Sequence, residues 1–167
     1  MAVRMATVVA VMSMVTAAAV SCSPAPKALL AVERTESGRA RILVAPCPRY
    51  TAQMFSFFSS GGTIGYKRWF LMNDSMRGSL ASVDLFEPPQ GWSVRRSELV
   101  DLKGGREYTA VLRGGVNGRG LDGRISFTPD LFDRLKPGKV LVPDGEGAKM
   151  VKRSEFMKKD ADRCTPG

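Results

Sequence analysis

The chain has 167 residues, 44% of them hydrophobic and 25% charged, which fits one packed domain with a short additional segment and excludes general disorder. Its 25 Lys and Arg against 16 Asp and Glu give a net charge of +9, spread along the sequence rather than clustered, so the excess is compatible with anionic partners and equally with plain solubility. Histidine is absent, which removes Ser-His and Cys-His nucleophile pairs, the commonest general base and every His-containing zinc site.

The first element reads as an address. Arg4 precedes an uncharged apolar run from Met5 to Val20, and no further charge occurs before Lys27. A positive start followed by such a run is the pattern of a secretory signal, and the run is shorter than the about 20 residues of a membrane span. It ends in Ala19-Val20-Ser21-Cys22, which resembles a bacterial lipobox, with Ala19 standing where leucine is usual. The resemblance implies cleavage between Ser21 and Cys22 and a diacylglyceryl thioether on Cys22, two acyl chains being enough for stable attachment. Two alternatives stay open. One is conventional cleavage near Ala17-Ala18-Ala19, giving a soluble secreted protein with Cys22 free, and the other is an uncleaved N-terminal anchor. The expected division is a lipoprotein signal peptide over 1–21, a lipidated Cys22 and flexible tether over 22–38, and a β-rich globular domain over 39–167. Within the tether, Pro24 and Pro26 favour an extended path.

From Arg39 onward, short runs of strand-forming residues alternate with turn residues: 39–45, 50–58, 66–72, 81–86, 92–96, 107–113, 123–127 and 139–143. No helix-length periodic run separates them, which disfavours a parallel sheet built from βαβ units. The expected fold is mainly β, an antiparallel β-sandwich (immunoglobulin-like) or small barrel with a short C-terminal helix. The consecutive pairs Phe57-Phe58 and Trp69-Phe70 fall in expected strands. Successive strand residues face opposite ways, so one member of each pair should leave this core for a second layer or a binding face. Asn73-Asp74-Ser75 matches a glycosylation triplet.

Gly118-Arg119-Gly120-Leu121-Asp122-Gly123 spells G-x-G-x-x-G, with Arg113, Arg119 and Arg124 around it. A dinucleotide fingerprint needs a helix starting at the glycines, whereas Arg124-Ile125-Ser126-Phe127 continues as a strand. Asn117-Gly118 and Asp122-Gly123 are reverse-turn dipeptides, so the stretch reads as the tip of a hairpin joining 107–113 to 123–128. At most a weak anion contact is expected through Arg113, Arg119 and Arg124. Thr128 as N-cap and Pro129 at the first helical position predict a helix reaching about Leu135. A second helix is expected from Ser154 as N-cap, with Met157, Ala161 and Cys164 on one stripe that docks on the sheet and points Cys164 toward Cys47.

Three cysteines are present; with Cys22 lipidated, Cys47 and Cys164 remain and are expected to form a disulfide in an exported chain, two buried thiols being the alternative. The mature chain resembles a group of small exported or lipid-anchored proteins of high-GC Gram-positive bacteria. The likeness lies in Pro46-Cys47, in Phe86-Glu87-Pro88-Pro89-Gln90-Gly91-Trp92, in Tyr108, in Phe127 through Leu131, in Leu135 through Gly138, and in Glu155-Phe156 ahead of Cys164. The resemblance implies export and the terminal disulfide, and brings no assigned activity or catalytic residues. The expected role is a lipid-anchored binding or accessory protein on the extracytoplasmic face of the cell membrane, held to lipid through Cys22 and contacting an envelope protein or anionic polymer. No catalytic residue, cofactor, metal or nucleic-acid partner is expected. The alternative is an envelope enzyme working through carboxylates without histidine or metal, for which Asp84 with Glu87, or Asp130 with Asp133, are the available pairs.

Overall fold

The computed structural model describes residues 28–60 and 66–166; the expected signal peptide, the Ser21/Cys22 cleavage site and the Cys22 lipidation site lie outside the described residues. In chain order the strands are β1 (Leu30–Arg34), β2 (Ala40–Val44), β3 (Tyr50–Ser60), β4 (Arg68–Asn73), β5 (Ser82–Asp84), β6 (Trp92–Ser97), β7 (Glu107–Val116), β8 (Arg119–Gly120), β9 (Gly123–Phe127), β10 (Lys139–Asp144) and β11 (Gly147–Lys152). They form two sheets. One has the order β11-β10-β1-β2-β5; the other has the order β6-β4-β3-β7, with β8 and β9 both paired to β7. All pairings are antiparallel and neither sheet closes into a barrel, so the fold is an antiparallel β-sandwich.

The two-residue period of the strands builds the core. On β3, Phe55 and Phe57 point inward and are fully buried, and on β4, Trp69 and Leu71 join them. Phe57 stacks on Tyr108 at 5.5 Å between ring centroids and lies 6.1 Å from both Phe127 and Phe86, while Trp69 meets Phe55 edge-on at 5.8 Å. The inward ring of Tyr108 keeps its hydroxyl satisfied at the sandwich end, accepting from Lys103 N (2.7 Å) and donating to Lys103 O (3.3 Å). A tyrosine at the start of a strand bonded back to backbone a few residues upstream is the tyrosine corner of two-sheet sandwiches.

The expected hairpin forms, with Tyr108 opposite Phe127 and Leu112 opposite Gly123. Its tip is itself paired, Val116 opposite Arg119, around Asn117-Gly118 with φ of 52° and 78°. Two consecutive positive φ values mark the mirror-image turn whose twist suits a hairpin. Gly123 serves packing instead: a Cβ there would lie 2.8 Å from Leu30 Cγ on the facing sheet. The glycine motif is thus a turn and a close inter-sheet contact, with a strand where a phosphate-binding fingerprint places a helix.

Two expectations are corrected. The stretch assigned to the tether over 22–38 contains β1, which lies between β10 and β2, so the sandwich begins before residue 39. Leu29 through Val32 are completely buried, a continuous apolar run of the kind a strand covered on both faces requires. At the C-terminus, Ser154 is not the N-cap. Helix α2 is a single turn, Arg153–Phe156, and the chain re-forms only as a 3₁₀ turn over Asp162–Cys164. Phe156 takes the buried position expected of Met157 and Ala161, and Ala161 is exposed. Asp160 Oδ1 accepts from Asp162 N and Arg163 N (3.0 and 3.4 Å), starting the new turn where the helix was expected to continue. Helix α1 (Pro129–Asp133) keeps its expected cap, Thr128 Oγ1 accepting from Leu131 N at 3.3 Å.

Helix α2 packs on β10 and β11, on the side of the five-stranded sheet where Arg153 Nε reaches Glu33 (2.5 Å). Arg163 then folds back over α2, its guanidinium 5.2 Å above the Phe156 ring and donating to Phe156 O (2.6 Å). The chain ends beside the corner between β2 and β3, where Cys164 is joined to Cys47 with 5.3 Å between their Cα atoms.

Candidate binding face

The outer face of the six-stranded sheet is laid out by its register. Residues directly opposite one another share a face, so three rows cross the strands. The first is Ser93-Met72-Met54-Arg113, the second Arg96-Phe70-Ser56-Val111-Arg124, and the third Arg68-Phe58-Thr109-Ser126. Phe58 and Phe70, the outward partners of the fully buried Phe57 and nearly buried Trp69, are half-buried on this face. The paired aromatics therefore divide between core and surface as their two-residue period demands.

These rows hold Met, Phe, Val and Arg with small hydroxyl residues, and no carboxylate. Ser93 Oγ, at the β6 end of the first row, is buried without a hydrogen-bond partner among the described residues, whereas the polar groups nearer the centre are paired. Arg68 Nε donates to Ser56 Oγ (2.7 Å) while its guanidinium lies 4.3 Å over the Phe70 ring. Thr109 and Ser126 share a hydroxyl hydrogen bond of 2.8 Å. Tyr66, 57% exposed, leans on Phe58 with ring centroids 5.1 Å apart and extends the apolar strip at one end. Acids stand at the margins of the face: Glu107, opposite position 60, shares it at one end, Glu98 lies 3.7 Å from Arg96, and Asp122 lies 3.6 Å from Arg113. Arg124 lines a cleft of about 450 Å³ shared with Glu107 and Glu146.

The three arginines expected around the glycine motif do not converge. Arg113 and Arg124 belong to the outer face of the sheet, in different rows. Arg119, on β8, faces a separate cleft of about 620 Å³ together with Arg49, Thr51 and Gln53, and no acid among the described residues lines that cleft. Neither Arg49 nor Arg119 makes an ion pair with a described residue. Arg49 was not singled out in the sequence because its neighbour across the cleft is 70 positions away; only the strand pairing of Tyr50 with Val116 brings them together.

The acid pairs do not face one another across an open site. Asp84 accepts two hydrogen bonds from Arg41 (2.6 and 3.1 Å), which hold its carboxyl below the usual carboxylate range against the opposing pull of burial. Glu87 is bound to Arg39, and Asp130 and Asp133 lie exposed on α1. A cleft of about 930 Å³ lies over the end of the five-stranded sheet and carries Arg34, Arg39, Arg41 and Arg153 with Glu33 and Glu36. Its arginines are engaged within the domain: Arg153 with Glu33, Arg41 with Asp84, Arg39 with Glu87, and Arg34 with Asp133 O (3.2 Å) and the Phe132 ring. Asn73 of the glycosylation triplet is buried, its amide donating to Ala52 O (2.8 Å) and Arg77 O (3.2 Å), so its nitrogen is built into the fold.

Comparison with protein-family models, with curated proteins and with solved structures finds no match.

Proposed function

We propose that this protein is a lipid-anchored binding or accessory domain of the cell envelope, which grips an acidic-rimmed partner protein through the outer face of its six-stranded sheet. The observation that carries the reading is the composition of the three rows: an apolar centre of Met54, Met72, Phe58, Phe70 and Val111, edged by Arg68, Arg96, Arg113 and Arg124, with the acid of this face, Glu107, set at its end beyond Thr109. Aromatic residues, Met and Arg are enriched at protein interfaces and acids are depleted from their centres, and positive rims steer partners of opposite charge. The lipid anchor is supported by the apolar run of residues 5–20 ending at the lipobox-like Ala19-Val20-Ser21-Cys22. A face that runs along the side of an anchored domain is available to a neighbour in the same membrane.

The test uses the full chain in its own membranes, with a photocrosslinking residue at Phe70 or Met54 and, as control, at Glu36 on the other sheet. The expected result is one discrete adduct from Phe70 and Met54, weakened by Arg113→Glu with Arg124→Glu, and none from Glu36. Absence of an adduct from both face positions, or the same adduct from Glu36, overturns the reading. Intact mass of the N-terminal peptide tests the anchor separately: a diacylglyceryl Cys22 with residues 1–21 removed is expected, and an unmodified peptide starting earlier refutes it.

A further inference from the structure

The described chain starts at Ala28, at the end of the sandwich where Ala45 N donates to Leu29 O (2.8 Å) and Leu30 lies opposite Val44. From there residues 46–49 cross to the other sheet, and Tyr50 lies opposite Val116 beside the β7–β8 turn. Gly123, at the other side of that turn, packs on Leu29 and Leu30. The cleft lined by Arg49 and Arg119 is therefore at the end from which the N-terminus leaves, and the β1–β2 turn at residues 35–38 is at the opposite end of the five-stranded sheet.

This end carries two cationic side chains, Arg49 and Arg119, in one cleft. The two arginines face Thr51, Gln53 and the glycine-rich backbone of 114–120, where side chains do not crowd an approaching phosphate. Two acids flanking the segments that line the cleft are paired, Asp122 with Arg113 and Asp74 with Arg95 (2.8 Å). Met76, 55% exposed, also lines the cleft and carries φ of 52°. The unfavourable backbone is held by buried Asn73, whose Oδ1 accepts from Ser75 N and Oγ (3.2 and 2.7 Å) while its amide binds Arg77 O.

We propose that this end of the sandwich docks on the anionic surface of the membrane that holds the N-terminus, with phospholipid phosphates seated between Arg49 and Arg119 and Met76 inserted among the headgroups. The docking geometry rests on the lipid-anchor reading. The segment from Cys22 to Ala28 reaches at most about 20 Å when fully extended, so an anchored domain stays within a few Debye lengths of the surface. Each arginine near an anionic leaflet raises partitioning about fivefold, so the pair contributes about 30-fold.

The test reconstitutes the full chain in vesicles of phosphatidylcholine alone and of phosphatidylcholine with phosphatidylglycerol, and follows hydrogen exchange. N-terminal mass is measured on the same sample. The expected result is protection of residues 114–122 in the anionic vesicles only, reversed by 0.5 M salt (~4 Å Debye length) and by Arg49→Glu with Arg119→Glu, with residues 35–38 unchanged. Equal exchange in both vesicles by a chain shown to be lipidated overturns the docking while leaving the anchor intact. Protection by inorganic phosphate alone in the zwitterionic vesicles, as complete as that by anionic lipid, overturns it in favour of an ion site. If the chain proves unlipidated, the anchor fails, and salt-sensitive cosedimentation of the same chain with anionic vesicles then decides: binding lost in the double variant sustains the surface, and no binding rejects it.

Discussion

Gly114 is the most demanding position in the central strand pair. It lies opposite Ala52, next to the irregularity where the register of β3 against β7 shifts between Ala52 and Met54. A Cβ at Gly114 would lie 2.3 Å from Thr51 O and 2.7 Å from Tyr50 Cζ and Oη. The first obstacle is backbone, so relief requires β3 and β7 to separate by about 1 Å, breaking ladder bonds at the heart of the sheet. Overpacking typically costs about 1–3 kcal/mol and more where no side chain can yield, so Gly114→Ala should destabilise by about 3 kcal/mol or more. For a domain of this size that corresponds to a fall in Tm of about 10 °C. Gly118→Ala is the internal comparison, because φ there is +78° yet nothing lies within 4 Å of a Cβ. Its cost is the left-handed backbone alone, roughly 1–2 kcal/mol. Urea and thermal unfolding followed by the fluorescence of buried Trp69 measure both variants. A Gly114→Ala protein no less stable than Gly118→Ala would refute the packing of Thr51 and Tyr50 on β7.

Three further outcomes are expected. Asp84 is held below its ordinary pKa of 3.8 chiefly by its hydrogen bonds from Arg41. A carboxyl depressed in the folded state stabilises fully above its unfolded pKa and loses that contribution as pH falls through the folded one. Asp84→Asn should therefore flatten the acid limb of the stability curve below about pH 4, as read by urea midpoints across pH; an unchanged acid limb rejects the Arg41 pairing. Cys47→Ala with Cys164→Ala opens a loop spanning 117 positions and should cost up to about 4–5 kcal/mol by the chain-entropy estimate; a loss under ~1 kcal/mol in equilibrium unfolding would deny the bridge a stabilising role. Tyr50 is buried with its hydroxyl lacking a hydrogen-bond partner among the described residues, and burial followed by the Asp122 charge pushes its pKa up. Tyr50→Phe removes that unmet polar group and should leave stability equal or higher by up to about 1 kcal/mol; a loss above ~1 kcal/mol would mean that the hydroxyl is bonded in solution.

Most of the sheet was legible because its strands alternate or are bounded by turn residues. Gly123–Phe127 and the cap at Thr128 follow directly from such local signals. β1 was not legible because a strand covered on both faces loses its alternation: Leu29-Leu30-Ala31-Val32 is continuous apolar sequence running into Glu33 and Arg34, close behind a proline-rich stretch. β11 was hidden for the opposite reason. It is an edge strand with exposed Lys149, Met150 and Lys152, and little apolar periodicity to read. The C-terminal helix failed on competition, since Asp160 satisfies backbone donors of the next turn and Phe156 already supplies the buried anchor. For the candidate face, the doubled aromatics signalled that something must point outward. The identity of the neighbours did not follow, because Met54 meets Met72 and Val111 meets Arg124 only through register, which no local pattern encodes.

The two proposed surfaces have different physical origins, and that makes them separable. The rows of the sheet face arise from the alternation of strand residues, so they run along the side of the domain, with the strands' own direction in their plane. The Arg49/Arg119 cleft arises where chain crossings and turns gather, at the end where β3 begins and β7 finishes. A membrane beneath that end leaves the lateral face uncovered, so headgroup docking and partner binding need not compete. The arginines divide accordingly: Arg49 and Arg119 at the end, Arg68, Arg96, Arg113 and Arg124 on the side. Charge reversal of the first pair should alter vesicle binding and spare the crosslink at Phe70. Reversal of Arg96 and Arg124, which leaves the Arg113–Asp122 pair intact, should do the converse. If either pair moved both readouts equally, the positive charge would be acting as one diffuse field, and the division of the surface into two sites would fall.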